Sequence, residues 1–234
     1  NRRVLAQAMD ESIPLLERVK FLAIVSANTD EFFMVRVATV LQKLKLGVPS
    51  NRPDSVPYPL LIDEIRRRVV ETMREQRGLM GDLLGQLANY GISITTVAQL
   101  DQNTRQAVRA YFSEEVFPIL TPLAVDHAHP FPFISNLSLN LAVWLKREGA
   151  PNSEAEFVRL KIPDVMPRLV SVTSVLRKYA DLPSSGLIYV WLEDLIANNL
   201  DLLFPGMVIL DHTPFRVTRN SDIDFEHEQD DPEA

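Results

Sequence analysis

The chain has 234 residues, 46% of them hydrophobic and 24% charged, with a net charge of −7 and no cysteine. That length buries a proper core in one large domain or two small ones, and the balance is ordinary for a globular protein. The missing cysteines exclude disulfides, thiolate metal sites and cysteine nucleophiles, and no run approaches the roughly 18 apolar residues of a membrane span.

The charge is unevenly placed. Residues 1–91 carry 13 basic and 11 acidic side chains, whereas residues 92–234 carry 11 basic and 20 acidic ones. Seven of the acids fall between Asp222 and Ala234, where no Lys or Arg occurs, so the acidity is mostly a tail that reads as disordered. A nucleic-acid-binding surface shows the opposite bias, and nucleic acid is excluded as a partner. The absence of cysteine fits a reducing cytoplasm. The chain opens inside a helical pattern without an initiator Met, which reads as a piece of a longer protein.

Residues 1–91 read as all-helical. Val4, Leu5 and Ala8 begin a helix that stops near Ser12-Ile13-Pro14, with Ser12 as a cap and Pro14 in the first turn of the next helix. Leu15, Leu16, Val19, Leu22, Ala23 and Ser26 trace one helical face. Phe33, Val37, Val40, Leu41 and Leu44 trace another, which ends at Gly47. Four prolines make residues 48–59 a loop. Tyr58, Ile62, Ile65, Val69, Met73, Met80, Leu83, Leu84 and Leu87 then predict a helix of some thirty residues. Gly78, Gly81 and Gly85 weaken its last third or admit a close backbone neighbour. The whole predicts a small antiparallel helical bundle.

Near Gly91 the period changes. Ile92, Ile94 and Thr96 predict a short strand, and Asn103 or Thr104 opens a helix over residues 103–117. The prolines of "TPLAVDHAHPFPFISN", residues 121–136, exclude a regular helix. Leu137, Leu139, Leu141, Val143 and Leu145 alternate with polar or mixed residues, which predicts a half-exposed antiparallel strand over 137–146. A polar loop at 147–155 leads to a second strand over 157–162, paired as a hairpin. Short strands follow at 168–172, 187–191 and 207–211, with a helix over 192–203. Helices first and a mixed, mainly antiparallel sheet later make the fold class α+β: a helical domain over 1–91, then a mixed α/β domain over 92–234.

The candidate chemistry is sparse. No phosphate-binding glycine loop, GxSxG or HExxH occurs. His127 and His129 could share a metal ion with Asp126, or belong to a proline-rich turn. Arg216 and Arg219 could fork onto phosphate oxygens or be ion-paired on the surface. Arg66-Arg67-Arg68 reads as a solvated helix face. In "SANTDEFFMVRV", residues 26–37, either Asn28 or Thr29 can cap a new helix whose first turn holds Asp30 and Glu31. With Thr29 as cap, the Asn28 amide is free for a ligand.

Three stretches resemble the polyphosphate kinases that work through a phosphohistidine. They are "ESIPLLERVKFLAIVSANTDEFFMVRV" from Glu11, "ILTPLAVDHAHPFPFISNLSLNLAV" from Ile119 and "LEDLIANNLDLLFPGMVILDHTPFRVTRNSD" from Leu192. They span essentially the whole chain, in the order and approximate spacing of that family. The resemblance implies an N-terminal helical domain and the front part of an α/β head domain used in dimer contacts, with two further C-terminal domains absent. It implies reversible transfer of the terminal phosphate of ATP to polyphosphate through a His nucleophile. His127, His129, His212 and His227 lie in no stretch resembling that nucleophile's motif, so no catalytic residue and no activity are expected of this chain alone.

For the site, the resemblance places Asn28 against the adenine of ATP, where an amide offers both a donor and an acceptor. Asp30, Glu31 and Arg36 belong to the same motif and support the turn; Arg219 is a candidate phosphate contact in the complete enzyme on its residue type alone, not on the resemblance. Mg2+ is implied with ligands outside this chain. The implied partners are ATP or ADP and polyphosphate, with a homodimer or tetramer built through the head. The implied location is cytoplasmic, either free or peripherally attached to membrane. The rival reading is a non-enzymatic interaction module whose apolar helix faces serve assembly only.

Overall fold

No glycine or proline interrupts residues 15–46, and the computed structural model shows what that permits. It describes residues 1–48, 56–125, 132–149, 154–180 and 186–220. Helix α2 (Leu15–Glu31) passes directly into a π-helical segment, Phe32–Val37, and then into α3 (Ala38–Lys45). The expected helix start at Asn28 or Thr29 is therefore a correction: neither residue is a cap, and Asp30 and Glu31 are not in a first turn. The reason is local. The Thr29 hydroxyl donates to the Val25 carbonyl one turn back at 2.7 Å, so its polar group is satisfied without leaving the helix. The π turn appears further on, where the Ala38 N–H reaches back five residues to the Phe33 carbonyl.

The chain divides into two units. The first comprises Asn1–Leu83 with 218–220 of the described residues. Its core joins Leu5 and Ala8 of α1 (Arg2–Met9), Leu22 and Val25 of α2, and Leu83 of α4 (Tyr58–Asn89). Leu16, expected on the buried face of α2, is exposed, and Arg18 is buried instead, donating Nε–H to the Ala8 carbonyl at 2.9 Å. Pro14 precedes α2, and Ser12 does not cap it, because its backbone N–H and hydroxyl both donate to Asp10 Oδ1, at 2.9 and 2.7 Å. Gln76 of α4 ties that helix to α2, with Nε2 donating to the Leu22 carbonyl at 2.8 Å and to Ser26 Oγ at 2.7 Å. A Cβ added at Gly78, Gly81 or Gly85 would meet open space, so no neighbouring backbone requires these glycines.

Among its described residues the second unit, Leu84–Val217, holds two sheets rather than the single mixed sheet expected. One has the order β1-β6-β5, where β1 (Ile92–Thr95) runs parallel to β6 (Leu187–Trp191), and β5 (Leu169–Ser171) runs antiparallel to it. The parallel pair starts with the Leu187 N–H donating to the Gly91 carbonyl at 2.8 Å. A Cβ on Gly186 would lie 2.8 Å from that same oxygen, and its φ of +87° is left-handed, so only glycine fits.

The other sheet is wholly antiparallel, in the order β2-β4-β3-β7. Its strands are β2 (Pro122–Val125), β3 (Leu139–Arg147), β4 (Glu156–Lys161) and β7 (Met207–Arg216). Leu141, Val143 and Leu145 bury one face of β3 as the alternation predicts, and β3 and β4 form the foreseen hairpin. Asn140, expected on the solvent face, is fully buried. Pro214 is tolerated because β7 is an edge strand.

Helix α5 (Gln102–Tyr111) begins at Asp101, not Asn103 or Thr104: Asp101 Oδ1 accepts the Thr104 N–H at 3.0 Å and Oδ2 accepts the Thr104 hydroxyl at 2.5 Å. A second π-helical segment, Phe112–Val116, and a 3-10 turn, Phe117–Ile119, complete the span expected as one helix. Helix α6 (Val172–Tyr179) went unforeseen, and the helix expected over 192–203 divides into α7 (Leu192–Ala197) and α8 (Leu200–Leu203). These helices and the inner sheet faces share one core through Phe112, Leu141, Leu160, Val190, Leu195 and Ile196.

Candidate functional site

The π-helical segment follows Asn28 by one turn, and its first residue, Phe32, lies four positions on, over the same helix face. Together they form one wall of a cleft of about 640 Å³ in the first unit, with Thr29 beside them. Arg67, Arg68, Val69, Glu71 and Thr72 of α4 line it as well, as do Asn1 and Arg2 at the start of the chain. Asn28 is half-buried, and among the described residues its carboxamide makes no hydrogen bond. Thr29 is held differently, its hydroxyl accepting from Asn1 Nδ2 at 2.9 Å while donating to Val25.

The basic wall is internally braced. Arg67 grips Glu64 in fork geometry, Nε to Oε2 at 2.9 Å and Nη2 to Oε1 at 2.7 Å, and its Nη1 donates to Glu71 at 2.6 Å. Arg68 Nε reaches Glu64 Oε1 at 2.6 Å. The two guanidinium groups hold the Glu64 carboxyl down at about 2, and Glu64 in turn pushes Arg67 up from its ordinary value. These pairs are exposed, so they orient the arginines more than they stabilise the fold. The solvated face read from the triple arginine is thus ion-paired, and two of its members also face the cleft. Arg66 lines a separate apolar groove with Phe33, Val37, Leu41 and Ile62.

The other expected residues lie elsewhere. Asp30, Glu31 and Arg36 are not among the walls of the Asn28 cleft; Asp30 is half-buried, and Glu31 and Arg36 are exposed. With no turn at that point, they cannot support one. Half-buried Arg219 lines a different groove, of about 370 Å³, with Phe33, Leu41 and Lys45. Arg216 sits on the edge strand opposite Leu139, and His212 on the same strand is exposed. Asp126, His127, His129 and His227 lie outside the described residues, as does the tail from Asp222 to Ala234. No group of three or more potential metal ligands occurs among the described residues.

Sequence reasoning missed Phe32, Arg67, Arg68 and Thr72. The i, i+4 spacing of Asn28 and Phe32 carried the signal for the first, once the helix is continuous. Nothing local signals the α4 residues, which are some forty positions distant.

A second cleft, of about 340 Å³, lies in the other unit, where Glu115 of the second π-helical segment meets Tyr111, Lys178 and Tyr179. The Tyr179 hydroxyl donates to Glu115 Oε1 at 2.9 Å, and Lys178 Nζ bonds the same oxygen. Its charges are satisfied internally.

Comparisons with known proteins agree across the chain. Residues 1–95 match the family model of the polyphosphate kinase N-terminal domain, and residues 103–233 match that of the polyphosphate kinase middle domain. Polyphosphate kinase 1 of Chlorobaculum tepidum is 41% identical over 231 residues, which cover 98% of this chain and 32% of that protein. The polyphosphate kinase of Mycobacterium avium is 44% identical over 234 residues, covering 98% of this chain and 31% of the relative. The crystal structure of polyphosphate kinase from Porphyromonas gingivalis superposes with a TM-score of 0.77 at 30% identity, over 94% of this chain and 31% of that one. The chain thus spans about a third of the length of the curated relatives it matches. With both domain models matched in order and a shared fold, the chain belongs to the polyphosphate kinase family.

Proposed function

We propose that this chain is the nucleotide-facing part of an enzyme that reversibly transfers the terminal phosphate of ATP to polyphosphate, with the Asn28 carboxamide against the adenine edge. The observation that carries the reading is the Asn28 side chain itself. It is half-buried in a cleft whose lining includes an aromatic ring and two arginines, and among the described residues its donor and acceptor are both unspent. Family membership favours this reading over a module used only for assembly.

The reading extends to parts this chain does not carry. The nucleophilic His and the Mg2+ ligands that this reading requires lie outside these 234 residues, so the chain alone is expected to transfer no phosphate. The helical domain over 1–91 supplies the adenine wall. The α/β domain from residue 92 supplies contacts within a homodimer or tetramer, in the cytoplasm or peripherally attached to membrane. Arg219 approaches phosphate from its own groove, and Arg36 lies beyond the cleft.

Substitution in the complete enzyme tests the claim. Asn28→Ala is expected to raise KM for ATP about five- to tenfold, the equivalent of one or two lost hydrogen bonds, with the protein still folded. An unchanged KM would overturn the adenine contact. A lower thermal midpoint with normal kinetics would make Asn28 a structural residue instead.

A further inference from the structure

The outer face of the four-stranded sheet carries a buried cation without a counter-charge among the described residues. Arg159 on β4 is 7% exposed, and none of the ion pairs among the described residues includes it. Among the described residues its one hydrogen-bond acceptor is Asn140 Oδ1, 2.8 Å from Nε. Buried charges are ordinarily paired, because desolvating an ion costs several kcal/mol that only an opposite charge or a full set of hydrogen bonds offsets. Burial alone pushes the guanidinium below its ordinary value, with no carboxylate acting against it.

The group is also rigidly presented. Asn140 is fully buried and is oriented in turn by Ser138, its Nδ2 donating to the Ser138 carbonyl at 2.9 Å and to Oγ at 3.1 Å. Nε is thereby committed to Asn140, which leaves the Nη pair. No fully buried polar side-chain atom among the described residues lacks a partner, so the Nη atoms, which have none there, keep at least an edge at the surface of a residue that is 7% exposed. Strand register sets what stands beside them. Leu123, Arg159, Ala142 and Thr213 form one row across the four strands, with the small Ala142 and an exposed Thr213 on one side of the arginine. Lys161 occupies the next row, salt-bridged to Asp164 at 2.7 Å, and Asp211 stands in the row beyond, on the other side.

We infer that Arg159, held by Asn140 and open at its Nη pair, is a binding site for a phosphate oxyanion on the outer face of this sheet. A planar fork with both Nη groups unbonded among the described residues matches the edge of a phosphoryl group. The choice of phosphate rests on the proposed function, since the substrates of such an enzyme are chains of phosphates. The site is separate from the Asn28 cleft and needs no nucleobase.

The experiment titrates tripolyphosphate, and separately inorganic phosphate, into the 234-residue chain at fixed ionic strength. The Nε–Hε resonance of Arg159 is followed by NMR, and affinity by calorimetry. The resonance is expected to shift, and Arg159→Met to weaken the calorimetric affinity for tripolyphosphate at least about tenfold. Ala142→Glu, which sets a carboxylate directly opposite Arg159, is expected to weaken it likewise while the circular dichroism stays native, so the test survives if Arg159→Met does not fold. Asn28→Ala is expected to leave this binding unchanged, which separates the site from the adenine contact. Undiminished affinity in Ala142→Glu would overturn the proposal. So would an equal resonance shift with acetate, which would mark Arg159 as a carboxylate partner, or a shift that follows only ionic strength.

Discussion

Glu64 shows how a single exposed carboxylate can set the geometry of a site. Two guanidinium groups converge on it and hold its pKa at about 2. An acid whose folded value is depressed contributes stability above its unfolded value, about 4.3, and loses that contribution as pH falls toward 2. A carboxyl NMR titration is therefore expected to find Glu64 titrating near 2, and Arg67→Gln is expected to bring it back toward the ordinary range. A normal Glu64 midpoint in the unsubstituted protein would mean that the arginine wall is not braced in solution. Asn28 and Arg159 make a matched contrast at the same scale. One is a neutral amide with unspent hydrogen bonds beside a cleft, and the other is a charge with its fork open. Each is singled out by the partners it lacks among the described residues.

At the scale of elements, caps and π-helical segments decide where the polar residues point. Asp101 caps α5 through Thr104, whereas Asn103 lies inside the helix. Asp101→Ala is expected to lower stability by about 1 kcal/mol, and Asn103→Ala to change it little. Chemical denaturation of the two variants distinguishes them, and the reverse order would restore Asn103 as the cap. Each of the two π-helical segments directly precedes or includes a residue that lines a cleft, Phe32 in one unit and Glu115 in the other. The extra residue in a π turn rotates the following side chains by part of a turn, which is how one helix can serve a core on one stretch and a cleft on the next.

At the scale of the whole molecule, the second unit has its own continuous core drawn from both sheets and from α5, α6 and α7. Residues 84–217 are expected to fold by themselves, with one cooperative thermal transition. Leu141→Ala, at a position 1% exposed in that core, is expected to cost about 2–5 kcal/mol in that transition and to leave the unfolding of the helical unit unchanged. If the fragment shows no cooperative transition by calorimetry, its core depends on the rest of the chain.

The sequence by itself determined the order of helices before strands, the alternation of β3, the β3–β4 hairpin, the strand over 187–191 and the thirty-residue helix α4. Each of these rests on a period written into adjacent residues. β2 lies in a proline-rich stretch and α6 directly follows the short strand β5, and neither is legible in the sequence, although α1 and β1 are no longer than they are. The family was legible as well, because long ordered motifs survive where single residues do not. What tertiary structure alone decided is which polar residues are used together. The run Asn28-Thr29-Asp30-Glu31 has the composition of a helix start, yet it lies inside a continuous helix, because Thr29 satisfies itself against Val25 and no breaker intervenes. Arg67 and Arg68 line the same cleft as Asn28 because α4 packs back against α2, where Gln76 bonds to Leu22. Arg159 and Asn140, nineteen positions apart, meet only through strand register. Local propensity is a property of neighbours along the chain, whereas a site is made by neighbours in space.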